Sequence, residues 1–173
     1  MSPSSMTSSA PHFMPDRFRS APRQADVEEI ERLVRLTRVF NDAEVALARE
    51  LVEENLAKGA EASGYHFLFA DGASGLEGYT CFGHIPGTAG RWELYWIAVD
   101  PGAHRSGLGR RLQTASEVAV KALGGVLLIA ETSTRLDYAP ARRFYLAQGY
   151  RLLAEIPDWH DDGDGLAIFG KRL

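Results

Sequence analysis

Cysteine is nearly absent from this sequence, which limits how its fold can be held together. The single cysteine, Cys81, cannot form an internal disulfide, and no cluster of Cys or His with zinc-ligand spacing accompanies it. A chain of 173 residues buries about 70% of its unfolded surface, so a hydrophobic core can hold it without disulfides or a structural metal. We therefore expect no metal site and a reducing, cytoplasmic location.

The sequence also lacks a long apolar run and an excess of basic residues. No stretch approaches the roughly 18 consecutive apolar residues of a membrane span, and the N-terminus lacks the apolar centre of a secretory signal. The 19 basic and 23 acidic residues give a formal net charge of −4. This charge argues against nucleic acid or an anionic membrane as the main partner, so we expect neither.

The pattern of apolar residues predicts one domain after a short tail. Residues 1–15 are rich in Ser, Pro and Met without periodicity, which is typical of a disordered tail, and residues 16–173 form the predicted domain. A short extended piece at 18–22 counts as the first predicted strand. Helices are predicted to begin near Asp26 and Asn41 and to occupy 107–123 and 139–148. Strands are predicted at 65–70, 76–85, 92–99, 126–130, 150–156 and 166–171. This order predicts an α/β (α+β) fold with one mixed, mostly antiparallel sheet and helices on both faces.

The segment 94–112 leads from a strand through a Pro-Gly turn into a loop with two glycines and then a helix. Gly107 and Gly109 have no Cβ, so a ligand can approach the first-turn amides, whose dipole favours an anion such as a pyrophosphate. Arg105 and Arg110 add positive charge at a helix end that otherwise prefers carboxylates. The segment is therefore a candidate anion site, while a solvated helix that simply begins at a glycine is the alternative.

A dinucleotide-binding loop is a second alternative for the same segment. The pattern Gly-x-Gly is present, and Glu131 ends a predicted strand at a suitable distance to hold a ribose. However, Leu112 occupies the third glycine position, and the preceding strand ends at Val99, well before the first glycine. Both features count against this interpretation.

The same loop resembles the acyl-coenzyme A loop of the GNAT superfamily of N-acetyltransferases. The family pattern Arg/Gln-x-x-Gly-x-Gly/Ala corresponds here to His104, Arg105, Ser106, Gly107, Leu108 and Gly109, with His104 where the family usually has Gln or Arg. The strand ELYWIAVDP before the loop and the helix YAPARRFYLAQGY after it also resemble the family. With the order of elements, the resemblance covers residues 17–173.

The resemblance implies acetyl-coenzyme A as cosubstrate, bound where the sheet splays open between its fourth and fifth strands, here 92–99 and 126–130. Ile97 and Val99 would pair with the pantetheine arm, and a bulge amide at or near Ala98 would polarise the thioester carbonyl. The implied coenzyme-binding residues are Ile97, Ala98, Val99, His104, Arg105, Ser106, Gly107, Leu108, Gly109, Arg110, Tyr138 and Arg142. Tyr138 stands where the family often has Asn.

Acetyl transfer needs a base for the amine and a proton for the departing thiolate. Tyr145 matches the tyrosine that commonly serves as the acid in the family. A phenol with a pKa of about 10 keeps its proton at neutral pH and can share it with a thiolate. The alternative is that Tyr145 and Phe144 merely pack.

Two carboxylates are candidate bases. Glu93 lies on the fourth predicted strand, where alternation predicts the same side as Tyr95 and Ile97. Glu131 ends an apolar strand, where partial burial would raise its pKa. Family members often place a glutamate on the fourth strand, which favours Glu93 as the base and leaves Glu131 as substrate binder or alternative base. Solvated or salt-bridged side chains are the alternative for both.

The resemblance implies transfer of an acetyl group from acetyl-coenzyme A to a primary amine of a small molecule, by direct attack in a ternary complex. A protein amine is a variant acceptor, and a homodimer is compatible with such a domain. Two other hypotheses are a non-catalytic module that binds or senses acyl-coenzyme A and a nucleotide-binding domain. The run at 156–165 carries four aspartates, a Trp and a His, and it is interpreted as a solvated turn, with a cation site as the alternative.

Overall fold

The computed structural model describes residues 18–173, apart from the side chains of His104 and Arg105. The predicted tail at 1–15 lies outside these residues. No helix in the described range is long and apolar enough to cross a membrane.

Four helices and six strands make up the described chain. The helices are α1 (Asp26–Leu36), α2 (Asp42–Ser63), α3 (Leu108–Ala122) and α4 (Ala139–Ala147). Short 3-10 turns occupy Pro101–Ser106 and Leu136–Tyr138. The strands are β1 (His66–Gly72), β2 (Gly75–His84), β3 (Arg91–Val99), β4 (Leu127–Ser133), β5 (Arg151–Asp161) and β6 (Asp164–Arg172). They form one sheet in the order β1-β2-β3-β4-β6-β5, antiparallel throughout except for β3 and β4.

The extended piece predicted at 18–22 is not a full strand. Arg19 forms a single antiparallel bridge with Phe69 of β1, with main-chain N···O distances of 3.1 and 2.7 Å. Its guanidinium turns toward α1 and binds the Asp26 carboxylate at 2.7 and 2.9 Å, and it also donates to the Ala21 carbonyl. Pro22 then has no N–H to extend the ladder. Because this piece is not a strand of the structure, the strands predicted as fourth and fifth are β3 and β4.

Helix α2 begins where the sequence predicts. Asn41 accepts from the Glu44 N–H at 2.9 Å, and Glu44 accepts from the Asn41 N–H at 2.8 Å, which completes a capping box. Gly59 has φ +79° and breaks the helix near its end, and Gly64 ends it in the left-handed conformation.

The core lies on both sides of the sheet. Helices α1 and α2 pack on β1, β2 and the second half of β3. On the opposite face, α3 and α4 cover residues of β2, β3, β4 and β6. The predicted arrangement, a mixed and mostly antiparallel sheet with helices on both faces, is confirmed.

A bulge in β3 reverses the alternation of its side chains. Cys81 of β2 pairs with Trp96, and the next residue of β2 pairs with Leu94, so Tyr95 is the extra residue. Leu94 lies in the cluster beneath α3 and α4, whereas Trp96 lies in the cluster beneath α1 and α2. The prediction that Glu93 and Ile97 share one side is therefore wrong, because Ile97 packs on the α3 and α4 side with Leu94.

Strands β3 and β4 diverge after a short paired segment. The parallel pairing joins Arg91–Leu94 to Leu127–Ala130 and stops there, although β3 continues to Val99 and β4 to Ser133. The sheet is thus splayed between the two strands at their carboxyl ends, as the resemblance implied.

Candidate active site

A cleft of about 1330 Å³ opens where β3 and β4 diverge. Its walls are the carboxyl halves of these strands, the start of α3, helix α4, the α1–α2 connection and the β5–β6 hairpin. Of the residues predicted from the sequence, the cleft is lined by Ile97, Ala98, Val99, Gly107, Gly109, Arg110, Glu131, Tyr138 and Tyr145.

The glycine loop presents an unobstructed helix start to the cleft. Gly107 has φ +72° and caps α3 without a side-chain hydrogen bond from the described residues, and the first turn carries no acidic residue. A Cβ on Gly109 would lie 3.6 Å from the Phe144 ring and 3.7 Å from Val99, which is ordinary contact. The amides of the first turn and Arg110 can therefore receive an anion from the cleft.

The side chains of three predicted coenzyme residues make contacts within the protein, and their role toward the coenzyme stays a prediction. Leu108 is buried in the core beneath α3. Ser106 donates its hydroxyl to the Ala103 carbonyl at 2.7 Å. Arg142 donates to the carbonyls of Ser133 at 2.5 Å and Arg135 at 2.8 Å, so it holds the end of β4 instead of lining the cleft.

The main chain of β3 reaches the cleft beyond the bulge. The bulge lies at Tyr95, so the expectation of a bulge amide at Ala98 is corrected, since Ala98 pairs in register with Tyr79. Ile97 lies three residues past the last pair between β3 and β4, at Leu94. Its main chain therefore faces the opening instead of a neighbouring strand on that side.

Tyr145 packs in the core and also borders the cleft. Its ring centroid lies 5.7 Å from those of Phe144 and Tyr150 and 5.8 Å from that of Phe169. Burial raises the pKa of this phenol well above its usual value. The hydroxyl is therefore protonated at neutral pH, in a ring held firmly by its neighbours.

The two candidate bases lie close together but in different environments. Glu93 is half-buried, and this burial, with the nearby charge of Glu131, raises its pKa to about 7. Glu131 is exposed, and β4 continues past it to Ser133, so its expected partial burial is wrong. Glu131 lines the cleft and Glu93 does not. Glu93 pairs across the strands with Ile129, which is two residues before Glu131 in β4.

Aromatic residues near the α1–α2 connection form a wall that the sequence pattern left unassigned. The Phe40 ring centroid lies 4.9 Å from that of Trp96, with the rings tilted, and 6.3 Å from that of Tyr138, edge to face. The Tyr138 hydroxyl donates to Glu44 at 3.4 Å, and burial and this carboxylate raise the pKa of Tyr138 to about 12. The sequence predicts the capping box of Asn41 and Glu44. A capping box indicates where a helix begins, and it does not indicate that the helix start borders a cleft.

The run at 156–165 is a β-hairpin rather than a loop between strands. Strands β5 and β6 extend to Asp161 and Asp164, which pair across the turn. His160, Asp161 and Asp164 line the cleft, while most of the run is exposed. Within the described residues, no group of three or more His, Cys, Asp or Glu side chains is arranged to hold a metal ion.

Comparisons with known proteins agree with this geometry. The model of the acetyltransferase (GNAT) family matches residues 27–150. A protein from Desulfovibrio desulfuricans, assigned to the GNAT acetyltransferases, has a solved structure with a TM-score of 0.87 and 41% identity. The match covers 90% of this chain and 98% of that protein. A search of curated proteins found no match.

More distant solved structures share the fold. An aminoglycoside 6'-N-acetyltransferase complexed with coenzyme A matches with a TM-score of 0.68 and 18% identity, over 87% of this chain and 92% of that one. The ribosomal-protein-S18-alanine N-acetyltransferase from Escherichia coli gives 0.68 and 18%, over 88% and 91% of the two chains.

Proposed function

Since the chain belongs to the GNAT family of acetyltransferases, we propose that it transfers the acetyl group of acetyl-coenzyme A to a primary amine of a small molecule. The observation that carries this proposal is the cleft between β3 and β4, which has an anion-accepting loop at α3 and acidic side chains on other walls. The amine attacks the thioester directly while both substrates are bound.

The coenzyme is proposed to enter the cleft with its pyrophosphate at the start of α3. The open amides of the first turn and the Arg110 guanidinium supply positive charge for that group. The pantetheine arm runs along the unpaired side of β3 at Ile97. The free main-chain groups of β3 suit the pantetheine arm, because the amides of the arm can form hydrogen bonds to a strand as a neighbouring strand does.

Tyr145 is proposed to protonate the leaving thiolate. When the tetrahedral intermediate collapses, the C–S bond breaks and the sulfur takes the phenolic proton. The buried phenol has a raised pKa, so it keeps its proton until that charge develops. The tyrosinate then regains a proton from solvent.

Glu93 is proposed as the base that takes the proton from the amine, through water that reaches it from the cleft. A carboxylate with a pKa of about 7 is partly ionised at neutral pH and basic enough to take a proton from the attacking nitrogen. Glu131 borders the cleft beside it and is proposed to hold the positively charged amine before it loses its proton.

The acceptor is proposed to carry positive charge. Glu44, Glu131 and Asp161 line the cleft, and none of them has an ion-pair partner among the described residues. Uncompensated carboxylates raise the local concentration of cations and disfavour anionic acceptors.

Calorimetric titration with acetyl-coenzyme A tests the coenzyme site. Gly109→Glu places a carboxylate at the proposed pyrophosphate position, whereas Gly109→Ala adds only a methyl group with room around it. We expect micromolar binding in the wild type and in Gly109→Ala, and at least a 100-fold loss in Gly109→Glu. Gly107 is unsuitable for this test, because its φ of +72° strains any side chain. A folded wild type that does not bind would remove the basis of the proposal.

Release of coenzyme A thiol over a panel of small amines and amine-bearing peptides tests the reaction. We expect Tyr145→Phe to lower kcat about 100-fold or more while the affinity for acetyl-coenzyme A stays within threefold. Binding without turnover on any amine would favour a sensing module over an enzyme.

A further inference from the structure

Two walls of the cleft that are far apart in the sequence meet at Glu44 and Tyr138. The Tyr138 hydroxyl, just before α4, lies 3.4 Å from a carboxylate oxygen of Glu44 in the first turn of α2. Phe40 of the α1–α2 connection contacts the Tyr138 ring edge to face, and it also contacts the Trp96 ring of β3. These four side chains all line the cleft, and we call them the acid–aromatic wall.

The Glu44 carboxylate is held in place by two uncharged donors. One oxygen accepts from the Asn41 N–H at 2.8 Å, and the other accepts from the Tyr138 hydroxyl at 3.4 Å. A carboxylate can accept about four hydrogen bonds, so each oxygen has room for a further donor. The group is therefore oriented by the protein and still able to bind a ligand.

The charge of Glu44 has no counterpart in the part of the chain that the structure describes. Glu44 is half-buried, and no described Lys, Arg or His side chain lies within ion-pair distance of it. Arg135 also lines the cleft, but its guanidinium pairs with Asp137 and lies 4.0 Å from Asp164. Because a cationic hydrogen-bond donor stabilises a half-buried carboxylate, a ligand with positive charge would supply the missing partner.

The rings of Phe40 and Trp96 present an apolar surface beside this carboxylate. Their centroids are 4.9 Å apart, and both rings line the cleft. The one polar atom of the two side chains, the indole nitrogen of Trp96, is buried. A hydrocarbon chain can pack against such a surface, whereas a hydroxyl-rich molecule would lose hydrogen bonds to water there without replacement.

A second carboxylate, that of Glu131, lines the cleft from β4, across the opening from the strand that carries Trp96. The cleft thus offers a carboxylate, an apolar surface and a further carboxylate. We propose that the acceptor is an aliphatic diamine and that Glu44 selects it by binding the ammonium group that does not react, while the methylene chain packs on Phe40 and Trp96. This inference rests on the proposed function, since it names the acceptor of that transfer. The amine at Glu131 forms the amide bond as the thioester C–S bond breaks, with the proton transfers described above, and the product keeps its distal ammonium.

A series of diamines and matched monoamines tests whether the acceptor bridges the two carboxylates. Each diamine from 1,3-diaminopropane to 1,8-diaminooctane is compared with the n-alkylamine of the same chain length, and release of coenzyme A thiol gives kcat/KM. We expect the best diamine to exceed its monoamine at least about tenfold, since it gains a charge-assisted hydrogen bond. We also expect a maximum at one spacer length, because the spacer must join Glu131 to Glu44. Acetylation of monoamines with no preference for diamines overturns the inference and leaves the acetyl transfer standing. A preference that does not depend on spacer length also overturns it.

The variant Glu44→Gln tests which carboxylate selects the diamine. A glutamine at this position can still accept from the Asn41 N–H, so the helix cap survives the loss of charge. Asp42→Asn is the matched control, because it removes a charge from the same helix turn at a side chain that is 90% exposed and outside the cleft lining. We expect the preference for the diamine over its monoamine to fall at least about tenfold in Glu44→Gln and to stay within about threefold of the wild type in Asp42→Asn. A preference that survives Glu44→Gln, or that falls equally in both variants, contradicts the assignment.

Calorimetry distinguishes a failure of this inference from a failure of the acetyl transfer. The same diamines and monoamines are titrated into protein saturated with coenzyme A, which has no acetyl group to transfer. We expect the best diamine to bind at least about tenfold more tightly than its monoamine, and Glu44→Gln to remove this difference. Such binding without acetylation of any amine would overturn the acetyl transfer and leave the diamine site in place. Diamines that bind no more tightly than monoamines would overturn the diamine site, whichever amines are acetylated.

Discussion

Replacing Glu93 with Gln should stabilise the protein and impair its reaction at the same time. The half-buried carboxyl is held near Glu131, so its ionised form is disfavoured in the folded chain and its pKa is raised to about 7 from an ordinary value of 4.5. In the unfolded chain the group ionises at the lower value. The folded state therefore loses stability as the pH rises from about 4.5 through 7, and the amide of the Glu93→Gln variant does not ionise and avoids this loss.

The size of the effect follows from the displacement of the pKa. The full displacement from 4.5 to about 7 sets a ceiling of about 3 kcal/mol on the loss above pH 8. Because Glu93 is only half-buried, solvent screens its charge, and we expect about 1–2 kcal/mol. For a domain of this size, that raises the melting temperature of Glu93→Gln by about 3–6 °C at pH 8.

Thermal unfolding at pH 4 and pH 8 measures the difference, with Glu155→Gln as the control, since Glu155 is exposed on β5. At pH 4 the protonated glutamic acid and the amide are nearly equivalent, so the two proteins should melt together. The wild-type kcat/KM should rise with pH around 7, and Glu93→Gln should lose this rise and at least 100-fold in kcat/KM. A stability gain of the same size at both pH values would refute the assignment of the raised pKa to Glu93.

Two further predictions concern polar groups in the core. The Tyr79 hydroxyl is fully buried and has no hydrogen-bond partner among the described residues, so Tyr79→Phe should raise the free energy of unfolding by about 1 kcal/mol in urea denaturation. Tyr150→Phe is its control and should be destabilising, because the Tyr150 hydroxyl accepts from Gln113. Arg19→Ala leaves the buried Asp26 carboxylate without its cation. This variant should lower the free energy of unfolding by about 3 kcal/mol in the same assay. A decrease below about 1 kcal/mol would contradict the prediction.

Much of the fold was predictable because most elements carry local signals. The capping box at Asn41 fixes the start of α2, and alternating apolar residues indicate β1 to β3. The bulge at Tyr95 has no such signal, since the residues around it continue the same alternation and the register is set by β2. The side of the sheet on which Ile97 lies was therefore mispredicted.

Parts of the site depend on contacts that are distant in sequence. Glu131 was expected to be partly buried because it follows five apolar residues. Its exposure depends instead on which elements cover β4, and the sequence carries no local signal for that. Likewise, Phe40 meets Tyr138 only because the α1–α2 connection and α4 border the same opening. The roles of Glu93, Glu131 and Tyr145 in the reaction remain predictions.

The divergence of β3 and β4 resolves a geometric difficulty in the proposed reaction. Tyr145 lies on the α3 and α4 face with Leu94 and Ala130, whereas Glu93 and Glu131 alternate with these residues and point to the opposite face. An intact sheet would separate the proposed acid from the proposed base. Pairing between β3 and β4 stops at Leu94 and Ala130, so the cleft passes through the sheet and is lined by Tyr145 from one face and Glu131 from the other. A thioester held in this opening can meet the amine on one side and the phenol on the other, so any change that extended the β3–β4 pairing past Leu94 should abolish the reaction while leaving both side chains in place.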